Sequence, residues 1–222
     1  IDKFCGERDT AITFGKFDGL HQGHDLLIQR VEEHQKKDDV DGVVVAFDMS
    51  TLYPDVLMTN QEKAQLLEER VAYFIDCPFD AKIATMEAEH FIKEVIVEKF
   101  HAKYIVIGSD FHFGYQRRGS VELLRGLESK YGFTTDVCSK LQIEAPVYEN
   151  GEFTGRYELR DVSSTLIREA IRRGDMEFAE LMLGAPFSVS GEVVYGKQLG
   201  RKLGMPTANV MPPKHKIMPP NG

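Results

Sequence analysis

His21 and His24 stand three residues apart in the run Gly15-Lys16-Phe17-Asp18-Gly19-Leu20-His21-Gln22-Gly23-His24. Imidazole N–H groups at the mouth of a helix donate to anions, and free backbone amides and the helix dipole favour the same charge. Glycines 15, 19 and 23 let the backbone turn sharply and approach a ligand. The run therefore reads as a phosphate site, against the plainer possibility of a surface or capping histidine pair. A second anion-ready stretch is Val162-Ser163-Ser164-Thr165-Leu166-Ile167-Arg168, with three hydroxyls at a helix start and a guanidinium about one turn in. A third is Gly108-Ser109-Asp110-Phe111-His112-Phe113-Gly114, continuing to Arg117-Arg118-Gly119, whose guanidinium groups suit bidentate contact with phosphate. Each also has an ordinary reading, as a good helix cap and as a polar loop over two aromatics.

These stretches need a frame. Ala11-Ile12-Thr13-Phe14 is a short buried strand, and Leu26, Leu27, Val31 and His34 carry a helix after the glycine run. Gly42 to Phe47 and Tyr104 to Gly108 are continuous apolar strands of the kind buried on both faces of a parallel sheet. Thr59 with Glu62 forms a capping box, opening a helix with Leu66, Leu67, Val71 and Phe74 on one side. Ala81-Lys82-Ile83-Ala84 reads as a short strand. Ala88 to Phe100 is an amphipathic helix with Phe91, Val95 and Phe100 inward, Val121 to Tyr131 a further helix, and Thr134 to Cys138 a strand. Ser163 or Ser164 caps a helix that Gly174 stops, and Phe187 to Tyr195 is a late strand. Alternating strands and helices predict an α/β, Rossmann-like, doubly wound parallel sheet with ligands beyond the carboxyl ends of its strands. The His21/His24 turn, the loop after Asp48 and the Ser109–Arg118 loop then share one edge.

The order strand, Phe-Asp-Gly-x-His-x-Gly-His, helix resembles the signature of the nucleotidyltransferase superfamily, and within it the FMN adenylyltransferases (FAD synthetases) of bacteria, which are bifunctional with riboflavin kinase. The resemblance implies transfer of AMP from ATP to FMN, giving FAD and pyrophosphate, with Mg²⁺ on the nucleotide. It implies catalytic roles for His21, His24 and Arg168, and contacts to ATP and its phosphates from Gly15, Phe17, Asp18, Gly19, Gly23, Gly108, Asp110, Phe113, Gly114, Arg117, Ser163, Ser164 and Thr165. Ser109 stands where relatives often carry an acidic residue. Phe47-Asp48 and Thr59-x-x-Glu62-Lys63 match the flavin side, but Met49-Ser50-Thr51-Leu52 departs from the usual Pro-His-Pro. Gly191 to Lys197 mimics a P-loop but lacks the Ser or Thr for the metal, since Gln198 follows, and is rejected. Gly196, Gly204, Pro206, Thr207 and Asn209 instead resemble the opening of a riboflavin kinase barrel, with Thr207 and Asn209 at its magnesium nucleotide. Residues 1–184 then form the adenylyltransferase domain and 185–222 the truncated start of the kinase. The parent protein is expected to phosphorylate riboflavin and this chain alone is not.

Composition narrows the alternatives. A net charge of −8, with 42% apolar and 28% charged residues, describes a globular protein and argues against a general nucleic-acid or anionic-membrane surface. Three dispersed cysteines imply no disulfide framework and suit a cytoplasmic setting. No apolar run is long enough for a membrane span. Two rivals remain: a related nucleotidyltransferase with a pantetheine phosphate, nicotinamide mononucleotide or glycerol phosphate acceptor, and a non-enzymatic flavin or nucleotide sensor.

Overall fold

The computed structural model describes residues 1, 4–49, 55–196, 204–205 and 207–221. Its centre is a five-stranded parallel sheet. The strands are β1 (Thr10–Gly15), β2 (Asp41–Asp48), β3 (Tyr73–Pro78), β4 (Ala102–Gly108) and β5 (Thr134–Cys138), in the order β3-β2-β1-β4-β5. Alternate residues of the same strands feed two different cores, as the two-residue side-chain period requires. Ile12, Phe14, Val43, Val45, Ile105 and Ile107 face one layer of helices. Ala11, Val44, Ala46 and Val106 face the other.

The second layer is built from α1 (Gln22–Lys37), which contributes Leu27, Ile28 and Val31, and α2 (Asn60–Leu67), which contributes Leu67. The first layer begins after α3 (Ala81–Ala84), with α4 (Ala88–His90) running into a wider i→i+5 helix over Phe91–Lys99. Its end shows the wide pitch directly, because the Phe100 N–H donates to the Val95 carbonyl at 3.0 Å. Phe91, Val95 and Phe100 are buried there, and α5 (Val121–Tyr131) completes the layer with Val121 and Leu124.

After β5 the chain forms an antiparallel hairpin, β6 (Gln142–Glu149) and β7 (Glu152–Asp161). Then come α6 (Ser164–Arg173), α7 (Met176–Leu183), and a small antiparallel pair, β8 (Glu192–Val194) and β9 (Asn209–Met211). A third core joins α6 and α7 to Ala145 of the hairpin, to Leu57, and to Ile217 near the end of the chain.

Several expectations change. The helix opened by Thr59 stops at Leu67, Leu66 is exposed, and Phe74 belongs to β3. Leu67, Val71 and Phe74 fall at spacings a helix also uses, but pairing with β2 draws Phe74 into the sheet. Ala81–Ala84 is a helical turn, because the Asp80 carboxylate caps it by accepting from the Ile83 N–H at 3.0 Å. The β6–β7 hairpin was not foreseen. The late strand begins only at Glu192, short of the Phe187 start expected for it.

Candidate functional site

The sheet changes winding direction between β1 and β4, and the crevice beyond their carboxyl ends is where an open α/β sheet takes ligands. The turn from β1 to α1 is strained to suit. Phe17 and Leu20 adopt positive φ (45° and 42°), and Gly19 does so at 89°. Phe17 buries its ring completely in the α1/α2 core, so only its backbone is left to meet a ligand.

His21 is the N-cap of α1, its Nδ1 accepting from the His24 N–H at 3.3 Å. That acceptor role leaves the proton of a neutral His21 on Nε2, free to be donated outward. The two imidazoles stack, with centroids 3.7 Å apart and planes 18° from parallel. Burial depresses the His21 pKa to about 4. His24 lies well below the usual range, through burial first and then the charges of His21 and Lys63. Both rings are therefore neutral near pH 7, and His24 Nδ1 is buried with no hydrogen-bond partner among the described residues. Gly23 leaves little room beside the cap, since a Cβ would sit 3.2 Å from His21 Nδ1 and in van der Waals contact, 3.8 Å, with the Val162 carbonyl oxygen.

That proximity to Val162 brings the start of α1 and the start of α6 together. Ser163 caps α6 through the Leu166 N–H at 3.3 Å. Ser164 Oγ donates to the Asp18 carbonyl at 2.8 Å, stitching α6 to the glycine turn across 146 residues. Arg168 donates Nη2–H to Asp18 Oδ2 and Nε–H to the Asp55 carbonyl at 2.8 Å. Asp18 Oδ1 accepts from the Leu57 and Met58 N–H groups at 2.9 and 3.2 Å. The expected phosphate contact Asp18 thus has both carboxylate oxygens taken by protein donors and acts as a clip. Thr165 is exposed on the first turn of α6.

The Ser109–Arg118 loop is closed on itself by the Phe113–Gly119 bridge, and Phe111 stacks on Phe113 at 5.6 Å. Phe113 is buried, so its side chain supports the loop from beneath. Gly114, at φ 71° and ψ 175°, lies so close to Ala88 that a Cβ would fall 2.7 Å from its Cα. Lys140 pairs with Asp110 at 3.0 Å and with Asp161 at 2.8 Å, tying this loop to the residue two before Ser163. Arg117 is exposed and Gly108 half-buried, its missing Cβ 3.4 Å from Asp110 Oδ1. Lys16 is exposed beside Gly15.

At the end of β2, where the flavin contacts were expected, Phe47 is half-buried against Phe14, at 6.3 Å, and Phe79. Asn60 Nδ2 donates to Asp48 at 3.3 Å and to Asp76 at 2.7 Å. Lys63 was the residue the sequence undervalued. It is 4% exposed, and burial lowers its pKa against the pull of Asp18, Asp76 and Asp48. No residue-type motif signals a buried ammonium; only the packing of α2 does. Of the kinase-like residues, Gly196 and Asn209 meet, since a Cβ on Gly196 would lie 2.3 Å from Asn209 Nδ2. Thr207 and Gly204 are exposed. Pro206 lies outside the described residues, as do Ser50 to Pro54 of the departing flavin loop and Lys197 to Leu203.

The family profile described as FAD synthetase matches residues 5–148. The chain belongs to the FAD synthetase family. A second profile, riboflavin kinase, matches residues 183–222. Among relatives, the bifunctional riboflavin kinase/FMN adenylyltransferase of Escherichia coli K12 is 34% identical, over 96% of this chain and 66% of its own length. Its namesake from Buchnera aphidicola subsp. Schizaphis graminum is 33% identical over 91% and 63%. The chain thus spans a little under two thirds of the length of these relatives. A solved structure titled a macrolide-efflux protein, from Streptococcus pneumoniae, superposes with a TM-score of 0.78 at 27% identity, over 100% of this chain and 70% of that one. Among the described residues no helix is long and apolar enough to cross a membrane.

Proposed function

We propose that this chain transfers AMP from ATP to FMN, releasing pyrophosphate and FAD. The observation that carries the reading is the Ser164–Asp18–Arg168 stitch, which brings the histidine-bearing turn and the hydroxyl-capped start of α6 to one crevice. Membership of the FAD synthetase family supports the same chemistry.

An oxygen of the FMN phosphate attacks the α-phosphorus of ATP, a P–O bond forms to AMP, and the bond to the β-phosphate breaks as pyrophosphate leaves. The nucleophile is already ionised, so no protein base is needed. The protein supplies position and charge. His21, with its proton on Nε2, and His24 donate to the α-phosphate as negative charge spreads over it. The α6 amides, Ser163, Ser164, Thr165 and Arg168 face the leaving pyrophosphate, and Arg117 and the glycine turns flank the nucleotide with Gly15, Gly19, Gly23, Gly108 and Gly114. Phe47, Asp48 and Lys63 lie on the acceptor side, where the ammonium of Lys63 offers the positive charge that a second phosphate needs. Magnesium would enter with ATP as part of the substrate and would offset charge on its phosphates; among the described residues no group of three or more His, Cys, Asp or Glu is arranged to hold a metal ion.

In this reading residues 1–184 are the adenylyltransferase domain and 185–222 belong to a riboflavin kinase module, which in the whole protein makes FMN from riboflavin, with Gly196, Gly204, Pro206, Thr207 and Asn209 at its magnesium nucleotide. The cytoplasm, where ATP is abundant, is the matching compartment, and Cys5, Cys77 and Cys138 form no disulfide with one another. Incubation with FMN, ATP and Mg²⁺ gives FAD, resolved by chromatography, with one pyrophosphate per FAD. Pyrophosphate release with pantetheine phosphate, nicotinamide mononucleotide or glycerol phosphate, and none with FMN, replaces the acceptor. Tight nucleotide binding without turnover points to a sensor.

A further inference from the structure

The segment matched to riboflavin kinase does not stand apart from the crevice. Its strand-like stretch around Lys216 pairs in parallel with Val56: the Val56 N–H donates to the His215 carbonyl at 2.7 Å and the Ile217 N–H to the Val56 carbonyl at 3.0 Å. Ile217 is buried in the α6/α7 core beside Leu57. The Lys216 side chain is 1% exposed, and its ammonium donates to Glu62 Oε1 and Oε2 at 3.1 and 2.9 Å, with the Phe187 ring 5.0 Å away. A cavity of about 70 Å³ lies along the same seam, between Gly19 and Leu20 on one side and Phe187 and Ser188 on the other.

What this strap holds is the informative part. Residues 55–58 reach the glycine turn through Leu57 and Met58, whose amides fix Asp18, and reach α6 through the Asp55 carbonyl, which fixes Arg168. Glu62 accepts from the Thr59 N–H at 2.7 Å, so the carboxylate that binds Lys216 also ends this loop and starts α2. A buried ion pair of this kind gives little net stability, since desolvation offsets its attraction, but it does define geometry.

We propose that Lys216 is a positioning residue for adenylyl transfer: from the kinase-matched segment, its pair with Glu62 sets the 55–58 loop and through it Asp18 and Arg168. The proposal rests on the adenylyltransferase reading, and small displacements of such supports are costly to rate. It couples the two modules, because any change in the kinase-matched segment that withdraws Lys216 loosens the adenylyl crevice.

The test uses Lys216→Met and the double variant Lys216→Met/Glu62→Gln. The glutamine keeps an oxygen for the Thr59 cap, and the double variant leaves no buried charge unpaired, so it melts close to the parent. In both variants, amide exchange at Leu57 and Met58 speeds up at least tenfold, while Ile105 to Ile107 of β4 are unchanged. In the stable double variant kcat for FAD formation falls at least tenfold, with KM for ATP within threefold. A double variant with parental exchange at Leu57 and Met58, or with parental kcat, overturns the proposal. If the parent itself makes no FAD, the enzymatic reading fails while the exchange measurement still decides whether Lys216 sets the loop.

Discussion

His21 and His24 are neutral because the fold buries them, and that burial has a cost that depends on pH. In the unfolded chain a histidine titrates near pH 6.5, whereas His21 in the folded protein titrates at about 4. As pH falls through this window the unfolded state takes up the proton first, so stability is lost from about pH 6.5 down to about 4. Between pH 7 and pH 5 the His21 contribution is about 2 kcal/mol, or about 4–8 °C in melting temperature for a chain of this size. His21→Asn keeps a cap acceptor for the His24 N–H but removes the titration. Its melting temperature should therefore fall several degrees less than the parent's between pH 7 and pH 5, and an unchanged acid slope refutes the burial argument. His24→Ala addresses the chemistry: loss of one charge-stabilising donor costs on the order of 10²–10³-fold in rate, and near-parental FAD formation in a folded variant rules out the proposed role. Lys63 behaves oppositely to a structural ion pair. Its ammonium is disfavoured by burial more than it is favoured by Asp18, Asp76 and Asp48, so Lys63→Met should melt at or above the parental temperature while FAD formation drops at least tenfold. A lower melting temperature would show that the lysine holds the carboxylates together.

Between elements, the decisive contacts join residues far apart in the chain, and this marks how far the sequence could be read. The cap at Ser163, the stop at Gly174 and the capping box at Thr59 are local, and each is found where the residue types put it. Asp18 is different. The family resemblance implied a phosphate contact for it, but its partners Leu57, Met58 and Arg168 come from distant parts of the chain. No spacing rule within the glycine run names them. The β6–β7 hairpin was legible in part: Asn150 and Gly151 both have positive φ, 51° and 86°, as a two-residue hairpin turn demands. Its flanks also alternate as strands do, with Ile143, Ala145 and Val147 in β6 and Phe153, Tyr157 and Leu159 in β7, but Pro146 and Gly155 interrupt the two runs and β7 is largely exposed. Gly114 tests the same distinction between local and distant constraint. Its backbone is of a kind only glycine adopts readily, and a methyl group would meet Ala88 on α4. Gly114→Ala should destabilise the protein by about 1–3 kcal/mol in urea denaturation, and a neutral change would mean the loop relaxes away from α4 at no cost.

At the scale of the whole molecule, the question is whether the two family matches fold as one body. The division at 184/185 suggested by resemblance follows the chain, but packing does not respect it. Ile217, in the kinase-matched segment, is 3% exposed within the same core as Leu166, Ile167, Ala170 and Met182 of α6 and α7. In contrast, β8 pairs only with β9 among the described residues, so that hairpin adds little to the common core. Cutting Ile217 back to alanine removes buried methyl groups and leaves a hole, which in a well-packed site costs about 2–5 kcal/mol. If the segment is part of the common core, Ile217→Ala should lower the midpoint of the main unfolding transition, followed by circular dichroism of helices that lie almost wholly in residues 22–183. Tyrosine fluorescence, read without interference because the chain has no tryptophan, should move with it in a single step. A variant that leaves the main transition in place and splits off a weaker one would instead show a detachable appendage, and the crevice would then owe its geometry to Asp18 and Arg168 alone.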